Sequence, residues 1–200
     1  MLRTSLLTLA VVVASFACGE SPNGPSDPSN PSGSSGSSGN LNIRITDTPY
    51  GSAKAVLVTF SEVALLRGSD WTRVPFPDSS APTWTCDLKK LQNRTEDLLG
   101  TGRLELANYT MVRLVIQSAK IYFDNSAQSP TPCARSIPEP AGASFPFAMA
   151  TREVQVNGSF PVRAGAATTV LVDFDGEASI SQSGPGAYMM NPVVRLLSVQ

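Results

Sequence analysis

Residues 41–49 read Leu-Asn-Ile-Arg-Ile-Thr-Asp-Thr-Pro. In an extended chain Leu41, Ile43 and Ile45 share one side, and Asn42, Arg44 and Thr46 share the other. Alternation of this kind marks a β-strand with one face in a core and one in water. Asp47-Thr48-Pro49 then ends the pattern, because proline lacks the N–H that a strand ladder uses.

The same period continues outward along the chain. Val56, Val58 and Phe60 share a face, but beyond Ser61-Glu62 the apolar set moves to Val63 and Leu65. Val112, Leu114 and Ile116 likewise give way, past Gln117-Ser118, to Ile121 and Phe123. A one-residue phase change in a long strand is what a β-bulge produces. Long strands that bend midway belong to sandwiches and barrels. Val154, Val156, Phe160 and Val162 read as one hairpin arm, and Val170, Val172 and Phe174 as the other, joined by Ala164-Gly165-Ala166. Gly184-Pro185-Gly186 marks a further turn. Residues 188–199 read as a closing strand in which Pro192 signals an edge or a bulge. Helical signal is confined to one or two turns over 87–93, with Asp87 as N-cap. Residues 126–146, rich in proline, read as a long surface loop pinned by Cys133. The expected fold is all-β, a sandwich of about seven to nine strands over residues 41–200.

The N-terminus reads differently. Residues 1–18 are MLRTSLLTLAVVVASFAC, in which Arg3 precedes an apolar run over 6–16. That run suits a signal-peptide core and is too short for a bilayer, which takes about 20 apolar residues. It ends at Ala17-Cys18, a small residue followed by cysteine, as in a bacterial lipobox whose Cys is lipidated and becomes the first mature residue. Ser15 and Phe16 depart from the usual lipobox pattern. Residues 19–40 carry only Gly, Ser, Pro, Asn and the acids Glu20 and Asp27. With nothing to bury, such a segment cannot offset its ordering entropy and is expected to be a disordered tether of about 25 Å r.m.s. span. Glu20 at the second mature position, rather than Asp, favours outer-membrane sorting. Cys86 and Cys133 are then left as an even pair in an oxidising compartment, which suggests a disulfide.

Composition removes several functions. The 200 residues include no His and three Cys, with 15 Lys+Arg against 16 Asp+Glu for a net charge of −1. Without His the Ser-His-Asp and Cys-His dyads are absent, and three Cys cannot build a four-thiolate zinc site. A charge near zero gives no electrostatic footprint for nucleic acid.

Six elements, in order, carry a resemblance. They are Ile43-Arg44-Ile45-Thr46-Asp47-Thr48-Pro49, the Trp71-Thr72-Arg73-Val74 strand, and Asp87-Leu88-Lys89-Lys90-Leu91-Gln92-Asn93 followed by Asp97-Leu98-Leu99-Gly100. Then come Ala107-Asn108-Tyr109-Thr110-Met111-Val112-Arg113-Leu114, Phe160-Pro161-Val162 with Val172-Asp173-Phe174-Asp175, and Asn191-Pro192-Val193-Val194-Arg195. Over residues 41–199 the chain resembles the bacterial lipoproteins built on domain of unknown function 4382. The resemblance implies an exported, lipid-anchored, antiparallel β-sandwich, immunoglobulin-like or prealbumin-like, with no established chemistry. Thr48 stands where Ala is common, and the 126–146 insert is a departure.

Candidate chemistry is sparse. Asp173, Asp175 and Glu177, with Asp47 as an extra ligand, could offer oxygens to Ca²⁺, although a solvated strand face explains the same residues. Tyr50, Trp71 and Tyr188, with Trp84 and Tyr109, could stack on sugar rings, although aromatics in strands more often pack in cores. Trp84 reads as packing on the disulfide. Lys89, Lys90 and Lys120 are available as bases, but none lies in a Ser-x-x-Lys arrangement. No catalytic residue and no cofactor is called for. The function expected is a non-catalytic envelope lipoprotein held to the membrane through Cys18, an interaction or structural module facing a polysaccharide or an envelope protein. The alternative is a surface carbohydrate-binding module.

Overall fold

The computed structural model describes residues 37–200, so the signal sequence, Cys18 and nearly all of the linker lie outside the described residues. In chain order the strands are β1 (Ser38–Thr48), β2 (Ala55–Arg67), β3 (Asp70–Arg73), β4 (Trp84–Asp87), β5 (Asp97–Glu105), β6 (Ala107–Tyr122) and β7 (Cys133–Ala134). They continue with β8 (Ser144–Ala148), β9 (Glu153–Val162), β10 (Ala167–Asp175), β11 (Ile180–Gly184), β12 (Ala187–Met190) and β13 (Val194–Val199). A 3-10 turn, Leu88–Lys90, follows β4, and one helical turn, α1 (Gly176–Ser179), follows β10.

Two sheets face each other. The smaller runs β13-β10-β1-β5, and the larger runs β11-β12-β8-β6-β2-β4-β7, with β3 also on β2 and β9 also on β6. Leu41, Ile43 and Ile45 are fully buried between them, and Phe60 of β2 meets Phe174 of β10 edge-on at 6.4 Å. The all-β sandwich is therefore as expected, with thirteen strands among the described residues rather than seven to nine. The surplus comes from strands of two to five residues, too short for alternation to show. Two pairs, β1 with β10 and β8 with β12, are parallel, so the sheets are mixed rather than purely antiparallel.

The bulges lie where the phase changes placed them. Thr59 pairs with Ser118, Phe60 with Ile116 and Glu62 with Val115, so Ser61 and Gln117 are each skipped. Two opposed bulges bend β2 and β6 together and keep both halves of each strand facing the core. β1 starts at Ser38, ahead of the expected Leu41, with Ser38 opposite Glu105 of β5 and Asn40 opposite Ala167 of β10, a pairing that no apolar residue announces. Gly39 is required there, since a Cβ would sit 2.3 Å from the Arg163 carbonyl oxygen.

Two readings change. Residues 154–174 do not form a hairpin. β9 pairs with β6 in one sheet and β10 with β1 and β13 in the other, so the Gly165 turn carries the chain between layers. Nor is 188–199 one strand. β12 belongs to the larger sheet and β13 to the smaller, and Pro192 lies in the crossover where no ladder N–H is needed. In both cases the strands face one shared core, so their in-out pattern is the same whichever sheet holds them.

Cys86 of β4 and Cys133 of β7 are cross-strand partners joined by a disulfide, with Cα atoms 4.0 Å apart. The proline-rich segment is thus pinned at Cys133. It also lies down on the sheet, where Ala127 and Ile137 pack on Ala55, Leu57 and Tyr122 as a small second core on the outer face of β2 and β6. Asp87 caps the 3-10 turn as expected, its Oδ1 accepting from Lys89 N at 3.2 Å.

Candidate functional site

The parallel pairing of β1 and β10 brings Asp47, Thr48, Asp173 and Asp175 to one end of the smaller sheet, since Thr46 is in register with Asp173 and Thr48 with Asp175. Asp47 continues the inward phase of Ile43 and Ile45, which places a carboxyl where the core pattern offers no water. It is 6% exposed, and its Oδ1 accepts a hydrogen bond from Gly176 N at 3.0 Å. Its Oδ2 is buried without a partner. Burial above all, with the neighbouring Asp173 and Asp175 charges adding to it, pushes the Asp47 pKa up to about 8. The Gly176 N–H and Lys89 pull the other way but do not cancel it. Asp47 is therefore mainly protonated at neutral pH. Close approach dictates the glycine, since a Cβ on Gly176 would lie 3.0 Å from Asp47 Oδ1 and 3.2 Å from the Thr48 carbonyl oxygen.

The other carboxylates are engaged separately. Asp173 Oδ2 accepts from the Thr48 hydroxyl at 3.2 Å, and burial raises its pKa. Asp175 caps α1 through Ala178 N at 2.8 Å and holds Arg195 Nη1 at 2.7 Å. Glu177 Oε2 accepts from Gly51 N at 3.3 Å. All four proposed calcium ligands are near one end of the sheet, yet among the described residues no three His, Cys, Asp or Glu are grouped to hold a metal ion.

Beside Asp47 the outer face of this sheet carries a groove of about 510 Å³. Leu171, Leu197 and Asp173 line it from β10 and β13, and Asn93 and Arg94 line it from the loop after the 3-10 turn. Leu197 is 54% exposed, the one large hydrophobic residue exposed among the described residues. The overhanging loop is latched to β1. The Thr46 hydroxyl lies 2.9 Å from both the Leu91 and Thr95 carbonyl oxygens, and Arg44 Nε meets Glu96 Oε2 at 2.9 Å. Asn93 and Arg94 at its tip have φ of 59° and 65°, a left-handed backbone uncommon outside glycine.

The expected aromatic platform is not assembled. Trp71 lies on the larger sheet with the Arg113 guanidinium 4.2 Å above its ring, and Glu62 holds that guanidinium at 2.6 Å. Tyr188 is buried among Phe123, Phe145 and Phe147, with ring centroids 5.3 to 6.4 Å away. Tyr50 follows β1 at the Asp47 end, away from Trp71 and Tyr188, its carbonyl accepting from Lys89 Nζ at 3.0 Å. Trp84 stacks on Phe76 at 6.3 Å, and the buried Tyr109 donates to the Glu105 carbonyl at 3.2 Å. Lys90 donates to the Ser129 carbonyl, and Lys120 pairs with Glu139.

Sequence reasoning placed Asp47 and Asp173 but missed Arg94, Leu171 and Leu197. A signal for Leu197 exists: consecutive leucines in a strand, Leu196 and Leu197, cannot both face inward.

The sequence model of one family, a domain of unknown function (DUF4382), matches residues 38–192. The match opens with β1 and ends in the crossover before β13. No curated protein and no solved structure matches the chain. With most of its length covered by that match, the chain belongs to the DUF4382 family.

Proposed function

We propose that this DUF4382 protein is exported, lipidated at Cys18 and held at the bacterial outer membrane, where its sandwich is a non-catalytic interaction or structural module. The observation that carries this reading is the Cys86–Cys133 bond, because disulfides persist in oxidising compartments outside the cytosol. The apolar run over 6–16 and the Ala17-Cys18 ending supply export and a lipid acceptor, and residues 19–37, ahead of β1, supply the tether. A binding rather than catalytic role is supported by the disposition of the reactive groups. Asp175 and Lys120 are ion-paired, while Lys89 and Lys90 bond backbone carbonyls. The groove beside Asp47 has the concave, partly apolar form of a recognition site.

Fractionation of the expressing bacterium tests the anchor. The wild-type chain is expected in the membrane fraction, extracted by detergent and not by high salt, and the Cys18→Ser variant in the soluble fraction. Retention of Cys18→Ser on the membrane would overturn the lipidation reading.

A further inference from the structure

A second cleft, of about 380 Å³, opens at the end of the sandwich where the connections after β1, β4 and β6 meet. Register brings them together. Leu57, near the start of β2, lies opposite Asp87 at the end of β4, and Ala55 lies opposite Tyr122 at the end of β6. Lys54 enters the lining from the first connection, Lys89, Lys90 and Gln92 from the second, and Ser126 from the third.

Three features define the ligand class that suits this cleft. The first is its charge. The chain has four lysines, Lys54, Lys89, Lys90 and Lys120, and the first three all line this cleft. Lys120 is ion-paired with Glu139, whereas among the described residues none of the other three makes a salt bridge. The one carboxyl in the lining, Asp87, is fully buried. Its Oδ1 already accepts from Val56 N at 3.1 Å and Lys89 N at 3.2 Å, and burial pushes its pKa up. Glu177 accepts at 3.3 Å from the N–H of Gly51, which also lines the cleft. Three ammonium groups thus outweigh the acids beside them.

The second feature is that the ammonium groups are both open and held. Lys54 is exposed, and Lys89 and Lys90 are half-buried. Lys89 Nζ donates to the Tyr50 carbonyl at 3.0 Å, and Lys90 Nζ to the Ser129 carbonyl. An ammonium carries three N–H donors, so each of these two keeps two for a ligand. Fixed by those carbonyls, they have less freedom to lose on binding. The third feature is that no arginine lines the cleft. The guanidinium fork matches a planar carboxylate in a bidentate way, whereas lysines act as separate point charges, which a tetrahedral anion can engage one by one. A phosphate monoester offers three acceptor oxygens and a charge of about −1.5 to −2 near neutral pH.

We propose that this cleft binds the phosphate monoester of a small polar solute such as a sugar, with Lys54, Lys89 and Lys90 bonding the phosphate oxygens. The Gln92 amide and the Ser126 hydroxyl then face the group that carries the phosphate. The inference is compatible with the interaction-module reading but uses neither the lipid anchor nor the groove beside Asp47.

Calorimetry on the full chain in a nonionic detergent, with phosphate-free buffer, tests it. The probes are glucose 6-phosphate, inorganic phosphate, glucuronate as a carboxylate, and glycerophosphoglycerol as the diester of a lipid headgroup. Glucose 6-phosphate is expected to bind most tightly, and more weakly as salt is added. Lys54→Gln removes one charge from an exposed side chain, so Tm should be unchanged while affinity falls about tenfold, the size expected for one hydrogen bond to a charged group. Lys54→Gln combined with Lys90→Gln should abolish binding, and Lys120→Gln, outside the cleft, should leave it intact. No binding of glucose 6-phosphate, or equal loss in Lys120→Gln and Lys54→Gln, would overturn the proposal. So would binding of inorganic phosphate, glucuronate or glycerophosphoglycerol as tight as that of glucose 6-phosphate, which would assign the cleft to the free ion, to carboxylates or to lipid headgroups. Because every arm uses the purified chain, such a failure is separate from any failure of Cys18→Ser to leave the membrane.

Discussion

Asp47 shows what one polar residue does in a core register. Alternation from Leu41 assigns it to the inward face, and the fold keeps it there with one oxygen bonded to Gly176 and the other unpaired. A carboxyl whose folded pKa is about 8, against an ordinary aspartate value of 3.8, binds its proton more tightly in the native state than in the unfolded one. Stability from this group is therefore full at pH below about 4 and is lost as pH rises toward 8. Burial raises the Asp87 and Asp173 pKa values as well, so they act with the same sign. We expect Tm to fall between pH 5 and pH 8, with a limiting slope of about 1.4 kcal/mol per pH unit for one linked proton. Asp47→Asn, which cannot ionise, should flatten that slope and be the more stable form at pH 8. Thermal melts of both proteins across this range check it. A Tm that climbs toward pH 8, or an unchanged slope in Asp47→Asn, would refute the assignment. The sequence made Asp47 legible as a candidate through its company with Asp173 and Asp175. It could not show that the three are held apart by Gly176, Thr48 and Arg195, because each partner lies far along the chain from the carboxyl it engages and is brought there only by strand pairing.

At the scale of elements, what was legible depended on length. β1, β2 and β6 run 11, 13 and 16 residues, long enough for alternation and for its phase changes to be read, bulges included. β7 has two residues and β3 and β4 four each, so they are set by pairing partners rather than by pattern. The 126–146 segment was legible as a proline-rich loop, but not as a layer on the sheet, because Ala127 and Ile137 are single apolar residues with no period. That layer depends on the disulfide. Its closed loop spans a sequence separation of 47, for which the chain-entropy model gives roughly 4 kcal/mol. Reduction should therefore lower Tm by about 8–16 °C and expose 126–143 to limited proteolysis before the strands are cut. A reduced protein with unchanged Tm and an uncut loop would show that the small core alone holds the layer.

Across the whole molecule, the in-out pattern of a strand does not say which sheet it joins. Val154, Val156, Phe160 and Val162 share an inward pattern with Val170, Val172 and Phe174, yet β9 and β10 lie in opposite sheets. A sandwich core accepts the same side chains from either side, so alternation reports burial and not partnership. The proposed function rests on signals of two kinds. The proposed compartment rests on the N-terminal pattern and the cysteine count, whereas the groove beside Asp47 exists only once a loop from a distant part of the chain is laid beside a sheet face. The central claim is that all three cysteines are committed, Cys18 to a lipid and Cys86 to Cys133. Intact-mass spectrometry of the mature protein from the producing bacterium, alkylated before and after reduction, tests it most directly. The account predicts a chain beginning at Cys18 with the added mass of a lipid, unalkylated as isolated and carrying two adducts after reduction. A mature chain beginning elsewhere, or any cysteine alkylated without reductant, would contradict it.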